Sequence, residues 1–347
     1  MTISLVTGGN GYFGSLLVDR LLNEGHHVRV LDISLSTDRR ADIEYIQGDI
    51  RNQSVVQKVV QKADFVFNNV AQVPLAKDRS LLRTVNIDGT KILLDSCLLA
   101  GVQKVVHTSS SAIFGVPTSN PVFPDTPAHP LEAYGQAKWE AEILCTQAIA
   151  NGLDVSIIRP RTILGHGRLG IFGILFDWIA DGADPFVLGN GNNRYQFIHA
   201  EDLADICWRA SQSLGPNIFN AGTDRFGTMR EALEELCLHA GTGSRVRSLP
   251  ARPTSLAMQV AAKLHIAPFA PYHWIMYSKS MWFDVAHAHD ILDWSPRWSN
   301  SDMFKQSYDW FLQNRAESNN ADASHHRRTA RQGALGLVKR ATKLLPR

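Results

Sequence analysis

The chain has 347 residues, of which 44% are hydrophobic and 20% charged, and its formal net charge is +2. This length can bury a large core in one large domain or in two smaller domains. The four cysteines, at positions 97, 145, 207 and 237, are widely spaced and form no CxxC pair, which argues against a disulfide framework and a zinc site. These properties are typical of a globular enzyme from a reducing compartment.

The two ends of the chain differ in character. The N-terminus leads directly into an apolar strand, and no run of about 18 apolar residues occurs, so we expect neither a secretory signal nor a membrane-spanning segment. Residues 321–347 carry seven Arg and Lys against one Asp, whereas residues 1–320 are net acidic. We therefore expect a cytoplasmic enzyme with a basic tail.

A glycine-rich turn lies near the start of the chain. The apolar run 3–6 predicts a buried strand, and leucines at helical spacing predict a helix over 15–24. Between them, Gly8 permits a tight turn, Gly11 permits close approach of a pyrophosphate, and Gly14 permits close packing of the helix on the strand. The free N–H groups of the first helical turn would face the phosphates. The pattern predicts a dinucleotide site, the alternative being an ordinary loop of a parallel sheet.

An acidic residue ends the next predicted strand. This strand covers 27–31, and Asp32 follows it about 20 residues beyond the turn, where a carboxylate holds an adenosine ribose. A carboxylate accepts a hydrogen bond from a ribose hydroxyl and repels a 2′-phosphate, so we expect NAD rather than NADP. The nearby Arg39 and Arg40 are interpreted as charges of a surface loop.

Strands and helices alternate through the first half of the chain. Further predicted strands cover 43–47, 64–68, 102–108 and 155–158, and further predicted helices cover 53–61, 81–100 and 133–151. Repeated strand–helix–strand units imply a parallel sheet with helices on both faces. Ligands of such sheets bind beyond the carboxyl ends of the strands.

The alternation breaks down after Pro160. The predicted helices there cover 171–180, 228–239 and 301–313, with short strands between them. We predict an α/β fold, a Rossmann-type doubly wound parallel sheet with a small interleaved C-terminal substrate domain. The NAD-binding domain is predicted over 1–165 with 196–222 returning to it, the substrate domain over 166–195 and 223–315, and a basic disordered tail over 316–347.

A tyrosine and a lysine lie four residues apart in the predicted helix 133–151. This spacing places Tyr134 and Lys138 on one helix face. An ammonium beside a phenol lowers the phenol pKa from about 10, which makes Tyr134 a candidate acid/base. The alternative is an exposed pair on a helix. The hydroxyl cluster 109–111 ends the preceding strand, so Ser, Tyr and Lys are expected to converge on one alcohol oxygen.

These motifs together resemble the extended short-chain dehydrogenases/reductases, the NAD-dependent epimerase/dehydratase family, over residues 1–312. The resemblance rests on TGGNGYFG at 7–14, Asp32, GDI at 48–50, NNVAQ at 68–72, VN at 85–86, TSSSAIFG at 108–115, Tyr134 and Lys138, RP at 159–160, and FIHAED at 197–202. It implies an enzyme in which Ser110, Tyr134 and Lys138 are catalytic.

The resemblance also implies ligand contacts. The implied cofactor-binding residues are Gly8, Gly11, Tyr12, Phe13, Gly14, Asp32, Asp49, Ile50, Val70, Ala71, Gln72, Asn86, Thr108, Tyr134, Lys138 and Pro160. Asp49 and Ile50 would cradle the adenine, Asn86 would hold the loops around the dinucleotide, and Lys138 would hold the nicotinamide ribose. The residues assigned to the substrate are Ser110, Ser111, Thr162 and Arg194.

Ala112 narrows the range of reactions that this family resemblance allows. Sugar dehydratases and decarboxylases of the family carry an extra carboxylate at the position of Ala112, and a methyl group cannot perform that proton transfer. Two departures from the family pattern weaken an ordinary nucleotide-sugar interpretation. An Asn that many such epimerases carry is missing from 160–162. The Arg that binds the diphosphate in the family is displaced by one residue, to Arg194, and Tyr195 occupies the position where the family has this Arg. The apolar region 249–285 resembles 3β-hydroxysteroid dehydrogenase-like members and epimerases of polyprenyl-diphosphate-linked sugars, although a hydrophobic lid or a dimer face would look the same.

Three functions follow from this resemblance. The first is an NAD-dependent epimerase of a nucleotide-linked or polyprenyl-diphosphate-linked sugar, acting through transient oxidation of a hydroxyl. The second is an NAD-dependent 3β-hydroxysteroid dehydrogenase-like oxidoreductase. The third, from another class, is a non-catalytic NAD-binding protein.

Partners are suggested by weaker patterns. Apolar residues at helical spacing among Lys and Arg predict that 332–347 contacts the anionic inner face of a membrane, the alternative being a solvated tail. The helices 81–100 and 133–151 are expected to form a homodimer, as is common in the family. We expect no nucleic-acid partner, because no recognition motif accompanies the basic tail. We expect no metal, because the His and Asp residues of 284–290 match no zinc spacing.

Overall fold

The structure is a computed structural model that describes residues 2–34, 40–72, 78–264, 266–267, 269, 271–315, 333 and 335–343. The strands are Ile3–Thr7 (β1), His27–Asp32 (β2), Ile43–Gln47 (β3), Phe65–Asn68 (β4), Lys104–Thr108 (β5), Val155–Pro160 (β6), Thr162–Leu164 (β7), Phe186–Leu188 (β8), Phe197–His199 (β9), Asn217–Ala221 (β10) and Arg247–Leu249 (β11).

The helices alternate with these strands. They are Tyr12–Asn23 (α1), Gln53–Val59 (α2), Arg79–Arg83 (α3), Gly89–Ala100 (α4), Ala133–Ala150 (α5), Ile171–Ala180 (α6), Ala200–Gln212 (α7), Met229–Ala240 (α8), Ala251–Lys263 (α9), Pro271–Met276 (α10), Ala286–Leu292 (α11), Asn300–Gln313 (α12) and Leu335–Lys343 (α13). None of the helices in these described ranges is both long and apolar enough to cross a bilayer.

Seven parallel strands form the central sheet, in the order β3-β2-β1-β4-β5-β6-β10. The strands β5 and β6 are buried along their whole length. Burial on both faces is consistent with their adjacent apolar pairs, Val105–Val106 in β5 and Ile157–Ile158 in β6, in place of a strict alternation of apolar and polar residues. The predicted doubly wound parallel α/β sheet is confirmed.

Two hydrophobic clusters cover the opposite faces of the sheet. One packs Leu17 of α1 and Leu203 of α7 against the strands, and the other packs Leu93 of α4 and Cys145 of α5. Both layers leave the carboxyl ends of the strands uncovered, so the loops after these strands are free to form a site.

A third cluster holds the second half of the chain together. It is rich in aromatic rings from α6 and α12, including Phe176, Phe304 and Phe311. Two small parallel pairs, β7 with β9 and β8 with β11, form separate two-stranded sheets outside the central sheet. The region 249–285, for which the sequence predicts no elements, contains α9 and α10.

The predicted helix 81–100 is divided into three parts. A π-helical turn at Thr84–Asp88 separates α3 from α4, and Gly101 ends α4 with a left-handed φ of 68°. The turn contains the buried Asn86. A π-helical turn is often found at functional sites because it redirects a side chain, and periodicity alone does not reveal it.

The tail differs from the expected disorder where it is described. Helix α13 packs Leu335 against the cluster of Ile174 and Trp178, and Lys339 forms ion pairs with Asp177 and Asp181. The physical reason is that an apolar helix face meets an apolar surface and a basic residue meets two acids. Residues 316–332 lie outside the described residues.

Candidate active site

A cavity of about 1160 Å³ lies at the carboxyl ends of the sheet strands. Its lining begins at Asp32 and Asp49, follows the glycine turn, and continues past Ser110 and Tyr134 into the second half of the chain. Most of the residues with an expected ligand role line it. Those residues are Gly8, Gly11, Tyr12, Phe13, Gly14, Asp32, Asp49, Ile50, Val70, Ala71, Gln72, Thr108, Ser110, Ser111, Tyr134, Lys138, Pro160 and Thr162.

The glycine turn brings backbone N–H groups to this cavity. Gly8 has a φ of 71°, and a Cβ at Gly14 would lie 2.0 Å from the Gly8 carbonyl oxygen. Both positions therefore require glycine. Gly11 is the N-cap of α1 and has no side chain that could accept from the Phe13 and Gly14 N–H groups, which leaves these two donors for a ligand. The turn suits a diphosphate.

Asp32 lies at the end of the cavity that suits an adenosine. Its Oδ2 accepts a hydrogen bond from the Asn10 N–H at 3.1 Å, and its Oδ1 accepts from Ser34. The carboxylate is thereby held in place by the loop. Arg40 pairs with Asp19 and Asp42 away from Asp32, which agrees with its interpretation as a loop charge. Arg39 lies outside the described residues.

Asp49 lines the same end but is engaged by a neighbouring cation. Arg51 donates to both Asp49 carboxylate oxygens, and this hydrogen bonding lowers the pKa of Asp49. The acid is therefore charged at neutral pH and its oxygens are partly occupied.

Asn86 contacts the cavity wall indirectly, through hydrogen bonds to the backbone of Gln72. Its Oδ1 accepts from the Gln72 N–H at 2.7 Å and its Nδ2 donates to the Gln72 carbonyl at 3.1 Å. It is not among the residues lining the cavity in the described part of the chain. Asn86 therefore fixes the loop after β4, where Gln72 lines the cavity.

The N-terminus of α5 meets the end of β5. Glu132 caps α5 by accepting from the Tyr134 and Gly135 N–H groups at 2.7 and 2.6 Å. A Cβ at Gly135 would lie 2.4 Å from the Ala112 carbonyl oxygen, so the helix starts directly against the Ser111–Phe114 turn. This contact brings Tyr134 beside Ser110.

Lys138 is oriented by the backbone of β5. Its Nζ donates to the Thr108 carbonyl at 2.8 Å, and the side chain is buried. Burial lowers the pKa of Lys138 to about 8. The ammonium therefore loses its proton at a lower pH than an ordinary lysine, whose pKa is 10.5.

The pKa of Tyr134 differs from the expected lowering. Burial raises it to about 12, and a hydrogen bond with Ser110 offsets only part of this effect. The physical reason is that removing water penalises the phenolate more than its neighbours stabilise it. Tyr134 is therefore a protonated phenol at neutral pH, in hydrogen-bonding reach of Ser110.

A buried ion pair lies next to the hydroxyl cluster 109–111 and contacts its first residue. Arg159 Nη2 lies 2.7 Å from Glu142 Oε2, and both side chains are almost inaccessible. Ser109 Oγ donates to Glu142 Oε1 at 2.5 Å. The ion pair thus joins the end of β6 to α5, and its Glu142 holds Ser109, the residue that precedes Ser110.

The structure does not bring Arg194 to the cavity. Its guanidinium lies 4.8 Å from the ring centroid of Phe226 and 4.7 Å from that of Trp282. Tyr195 lines the cavity instead, and its hydroxyl is 3.0 Å from Thr162 Oγ1. The one-residue displacement noted in the sequence therefore changes which side chain lines the cavity.

Several of the polar residues that line the cavity were not assigned from the sequence, among them Arg161, Arg168 and Tyr272. Arg161 is buried with Nη1 donating to Ser111 Oγ at 2.9 Å, Arg168 lies over the Tyr12 ring, and Tyr272 hydrogen-bonds Tyr195 at 3.0 Å. Position 161 follows the RP motif at the end of a predicted strand, which was a usable signal. No comparable signal pointed to Tyr272, which comes from an unassigned region.

The far part of the cavity is apolar. Its lining comes from α6, α8, α9 and α12 and from the segments next to them. These residues are Phe172, Leu175, Trp178, Leu188, Met229, Leu233, Met258 and Phe304. Leu335 and Val338 of α13 also line it. Within the described ranges, no group of three or more His, Cys, Asp or Glu could hold a metal ion.

The sequence profile of the NAD dependent epimerase/dehydratase family matches residues 4–222. The chain belongs to this family. Members are enzymes, and NAD is the cofactor of this chain. The residues described above fit NAD, since an uncapped helix N-terminus, a fixed carboxylate and a Tyr–Lys pair line one cavity.

Several known proteins are similar to the chain. An uncharacterized protein y4nG of Sinorhizobium fredii is 46% identical, with 99% of this chain and 87% of that protein covered. A UDP-glucose 4-epimerase of Mycolicibacterium smegmatis is 32% identical over 66% of this chain and 79% of its own. A 3beta-hydroxysteroid-dehydrogenase/decarboxylase of Arabidopsis thaliana is 28% identical over 90% of this chain and 80% of its own.

A solved structure supports the same fold. The UDP-glucose 4-epimerase of Thermotoga maritima, crystallised with UDP-glucose, superposes with a TM-score of 0.76 at 22% identity. The superposition covers 90% of this chain and 99% of that one. At this identity the likeness shows the fold alone.

Proposed function

We propose that the protein is an NAD-dependent epimerase that oxidises a secondary hydroxyl of a linked sugar and reduces it again. The observation that carries this proposal is the meeting of Ser110, Tyr134 and Lys138 in the cavity that contains the glycine turn and Asp32. The sugar is linked to a nucleotide or to a polyprenyl diphosphate. A non-catalytic NAD-binding protein would not need this trio.

The chain's own residues handle the proton. In its phenolate form, Tyr134 receives the alcohol proton at Oη, and Ser110 holds the same substrate oxygen by a hydrogen bond. Lys138 is anchored on the Thr108 carbonyl, which leaves its remaining N–H groups for a ribose hydroxyl. When bound, NAD supplies the acceptor for the hydride of the carbinol. Because burial raises the pKa of Tyr134, the phenolate form exists only while other charges in the site favour it.

Epimerisation needs space for the ketone to turn. The substrate must present its other face before it is reduced, and Tyr134 then returns the proton to the new alcohol. The cavity has a volume of about 1160 Å³, and Ala112 adds only a methyl group beside Ser110. These features support a cycle without net change in redox state.

A second candidate is favoured by the apolar lining of the far cavity. Phe172, Trp178, Met229 and Phe304 suit a hydrocarbon skeleton better than a hydrated sugar, and Arg194 does not line the cavity. The 3beta-hydroxysteroid-dehydrogenase/decarboxylase relative acts on such a skeleton. The candidate is an NAD-dependent 3β-hydroxysteroid dehydrogenase-like oxidoreductase.

Product analysis separates the two candidates. The NAD-loaded protein is incubated with UDP-glucose, with a polyprenyl-diphosphate-linked hexose and with a 3β-hydroxysterol, and NADH absorbance and product stereochemistry are followed. The epimerase produces a new epimer without accumulating NADH, whereas the dehydrogenase produces NADH in proportion to ketone. The absence of both from every incubation would contradict the proposal.

Peripheral membrane contact through 332–347 stays a proposal, and a second surface supports it. Helix α9 lines the cavity with one face and exposes Leu256 and Val260 on the other, and Leu264 is exposed at the C-cap of the helix. Leu256 is 61% exposed and Leu264 63%. An apolar helix face beside a cavity that suits a lipid-linked substrate would lie at the membrane interface.

Homodimer formation is likewise a proposal. Helices α4 and α5 pack together and expose Leu98, Leu99 and Ile143, which are between 37% and 80% accessible. An exposed apolar helix pair of this kind suits association with a second copy. Light scattering of the full chain measures the mass directly.

A further inference from the structure

Arg161 occupies an unusual position at the end of β6. Its backbone N–H donates to the Ala221 carbonyl at 2.8 Å, which fixes the residue between β6 and β10. The side chain is 1% exposed and belongs to the wall of the cavity. A charged group is therefore held inside the protein at the substrate end of the site.

The partners of this guanidinium are all neutral. Nη1 donates to Ser111 Oγ at 2.9 Å, to Met281 Sδ at 3.3 Å and to the Tyr272 hydroxyl at 3.5 Å. The guanidinium also lies 4.8 Å from the centroid of the Tyr195 ring and 5.6 Å from that of Phe283. Nε and Nη2 are buried and have no hydrogen-bond partner among the described residues. A buried cation without a counter-charge is costly, and the unused donors add to that cost.

The neighbouring Arg159 provides a comparison within the same strand. It is buried like Arg161, with 4% of its surface exposed, but it forms an ion pair with the carboxylate of Glu142. The chain therefore supplies an acid for one of two arginines that lie two residues apart, whereas Arg161 forms no ion pair with any described residue.

The charges that line the cavity are unevenly placed. Among the described residues, the acids lining it are Asp32 and Asp49, and both belong to the end that suits an adenosine. The other end carries Lys138, Arg161 and Arg168. An anionic substrate would balance this excess of positive charge.

We propose that Arg161, together with Ser111, binds a carboxylate of the substrate. The planar guanidinium presents parallel N–H donors that match the two oxygens of a carboxylate. Ser111 follows Ser110 directly, so the carboxylate lies next to the hydroxyl that is oxidised. This inference rests on the proposed function, because it names the substrate class for the same cavity.

The competing explanation is an internal counter-charge on Tyr272. Burial raises the pKa of Tyr272, but the Arg161 charge and hydrogen bonds outweigh that effect, so the net pKa is lowered. A Tyr272 phenolate would neutralise Arg161 without any ligand. Tyrosinate absorbance of the NAD-loaded protein, compared with that of Tyr272→Phe, detects this state.

The test compares two pairs of probes that differ in one carboxylate. One pair is UDP-glucuronic acid and UDP-glucose, and the other is a 3β-hydroxysterol with a 4α-carboxyl or a 4α-methyl group. Calorimetry with the NAD-loaded protein measures affinity for each. We expect the acid of at least one pair to bind about 10-fold or more tightly than its neutral counterpart, and the pair that responds identifies the source of the carboxylate.

Variants assign the preference to Arg161. Arg161→Met should weaken binding of the acid by about 100-fold and leave its neutral partner within a few-fold, whereas Arg161→Lys should retain part of the preference. Arg20→Met removes a guanidinium that lies 4.2 Å from the Trp208 ring centroid, outside the cavity lining, and should leave the preference unchanged.

Three results would overturn the inference. The first is that neither acid binds more tightly than its neutral counterpart, or that neither acid binds at all. The second is that Arg161→Met loses the same amount of affinity for the acid and for its neutral counterpart. The third is a tyrosinate absorbance that disappears in Tyr272→Phe. Turnover is measured separately. Preferential acid binding without oxidation would contradict the proposed function while supporting the carboxylate site. Oxidation of the neutral probes alone would support the proposed function and contradict the carboxylate site.

Discussion

Gly135 of α5 lies so close to Ala112 that a Cβ at 135 would be 2.4 Å from the Ala112 carbonyl oxygen. This contact fixes the distance between the helix that carries Tyr134 and the turn that follows Ser110. We predict that Gly135→Ala displaces α5, lowers kcat strongly and reduces the free energy of unfolding by about 1–3 kcal/mol. Urea denaturation and steady-state kinetics measure the two effects.

The matched control for this substitution is Gly336→Ala. A Cβ at Gly336 would meet no atom within 4 Å, so that variant should keep both stability and activity. If Gly135→Ala behaved like the control, the close contact would not position Tyr134.

The stability of the protein should respond to pH through Lys138. In the unfolded chain this lysine holds its proton up to the ordinary pKa of 10.5, whereas in the folded protein burial lowers the pKa to about 8. Between these values the unfolded state binds more protons, so the free energy of unfolding rises with pH. Relative to Lys138→Met, the wild type should gain up to about 1.4 kcal/mol per pH unit in this window.

The measurement is urea unfolding of both proteins from pH 8 to pH 10, below the range in which tyrosines dominate. Lys62→Met serves as the control, because it carries a charge on the surface outside the cavity lining. Parallel curves for the wild type and Lys138→Met would mean that the lysine is not desolvated in the folded state.

Selectivity for NAD over NADP should depend on Asp32. Its carboxylate is held by Asn10 and Ser34, which points to a fixed acceptor for a ribose hydroxyl. We expect Asp32→Asn to weaken NAD binding by about 10-fold or more and to narrow the difference from NADP. Fluorescence titration measures both affinities. Asp42→Asn, which breaks an exposed pair with Arg40, should change neither affinity, and an unchanged preference in Asp32→Asn would remove Asp32 from cofactor selection.

The outer face of α9 should govern attachment to lipid. Replacing Leu256 and Leu264 by Asp adds charge to a face that is now exposed and apolar. We predict loss of flotation with vesicles containing phosphatidylglycerol, because apolar insertion and anionic attraction are both weakened. Replacing the exposed Leu214 and Leu238 by Asp instead should leave flotation intact. Equal flotation of all three proteins would contradict membrane contact by α9.

The sequence was most informative where function depends on local spacing. The glycine turn predicts a strand, a turn and a helix because each glycine answers a local steric demand, as the close approach of Gly14 to Gly8 illustrates. The same holds for Tyr134 and Lys138, which one helix presents on one face. The alternation of strands and helices was sufficient for the parallel sheet.

The features that sequence reasoning missed depend on contacts between distant segments. The raised pKa of Tyr134 comes from burial, which no local pattern states. That Arg161 is surrounded by neutral groups among the described residues can be seen only once Ser111, Tyr195 and Tyr272 are brought together in space. In residues 251–276 the apolar residues are interrupted by prolines and polar residues, so no element was predicted where the structure has α9 and α10.

The central claim is that Tyr134 transfers the proton of a substrate hydroxyl during NAD-dependent oxidation. The most direct measurement is the rate of substrate oxidation or epimer formation by NAD-loaded Tyr134→Phe, with Tyr45→Phe in the sheet as the matched control. We predict that Tyr134→Phe binds NAD like the wild type but reacts at least about 100-fold more slowly, while Tyr45→Phe reacts normally. Equal rates for all three proteins would contradict the account.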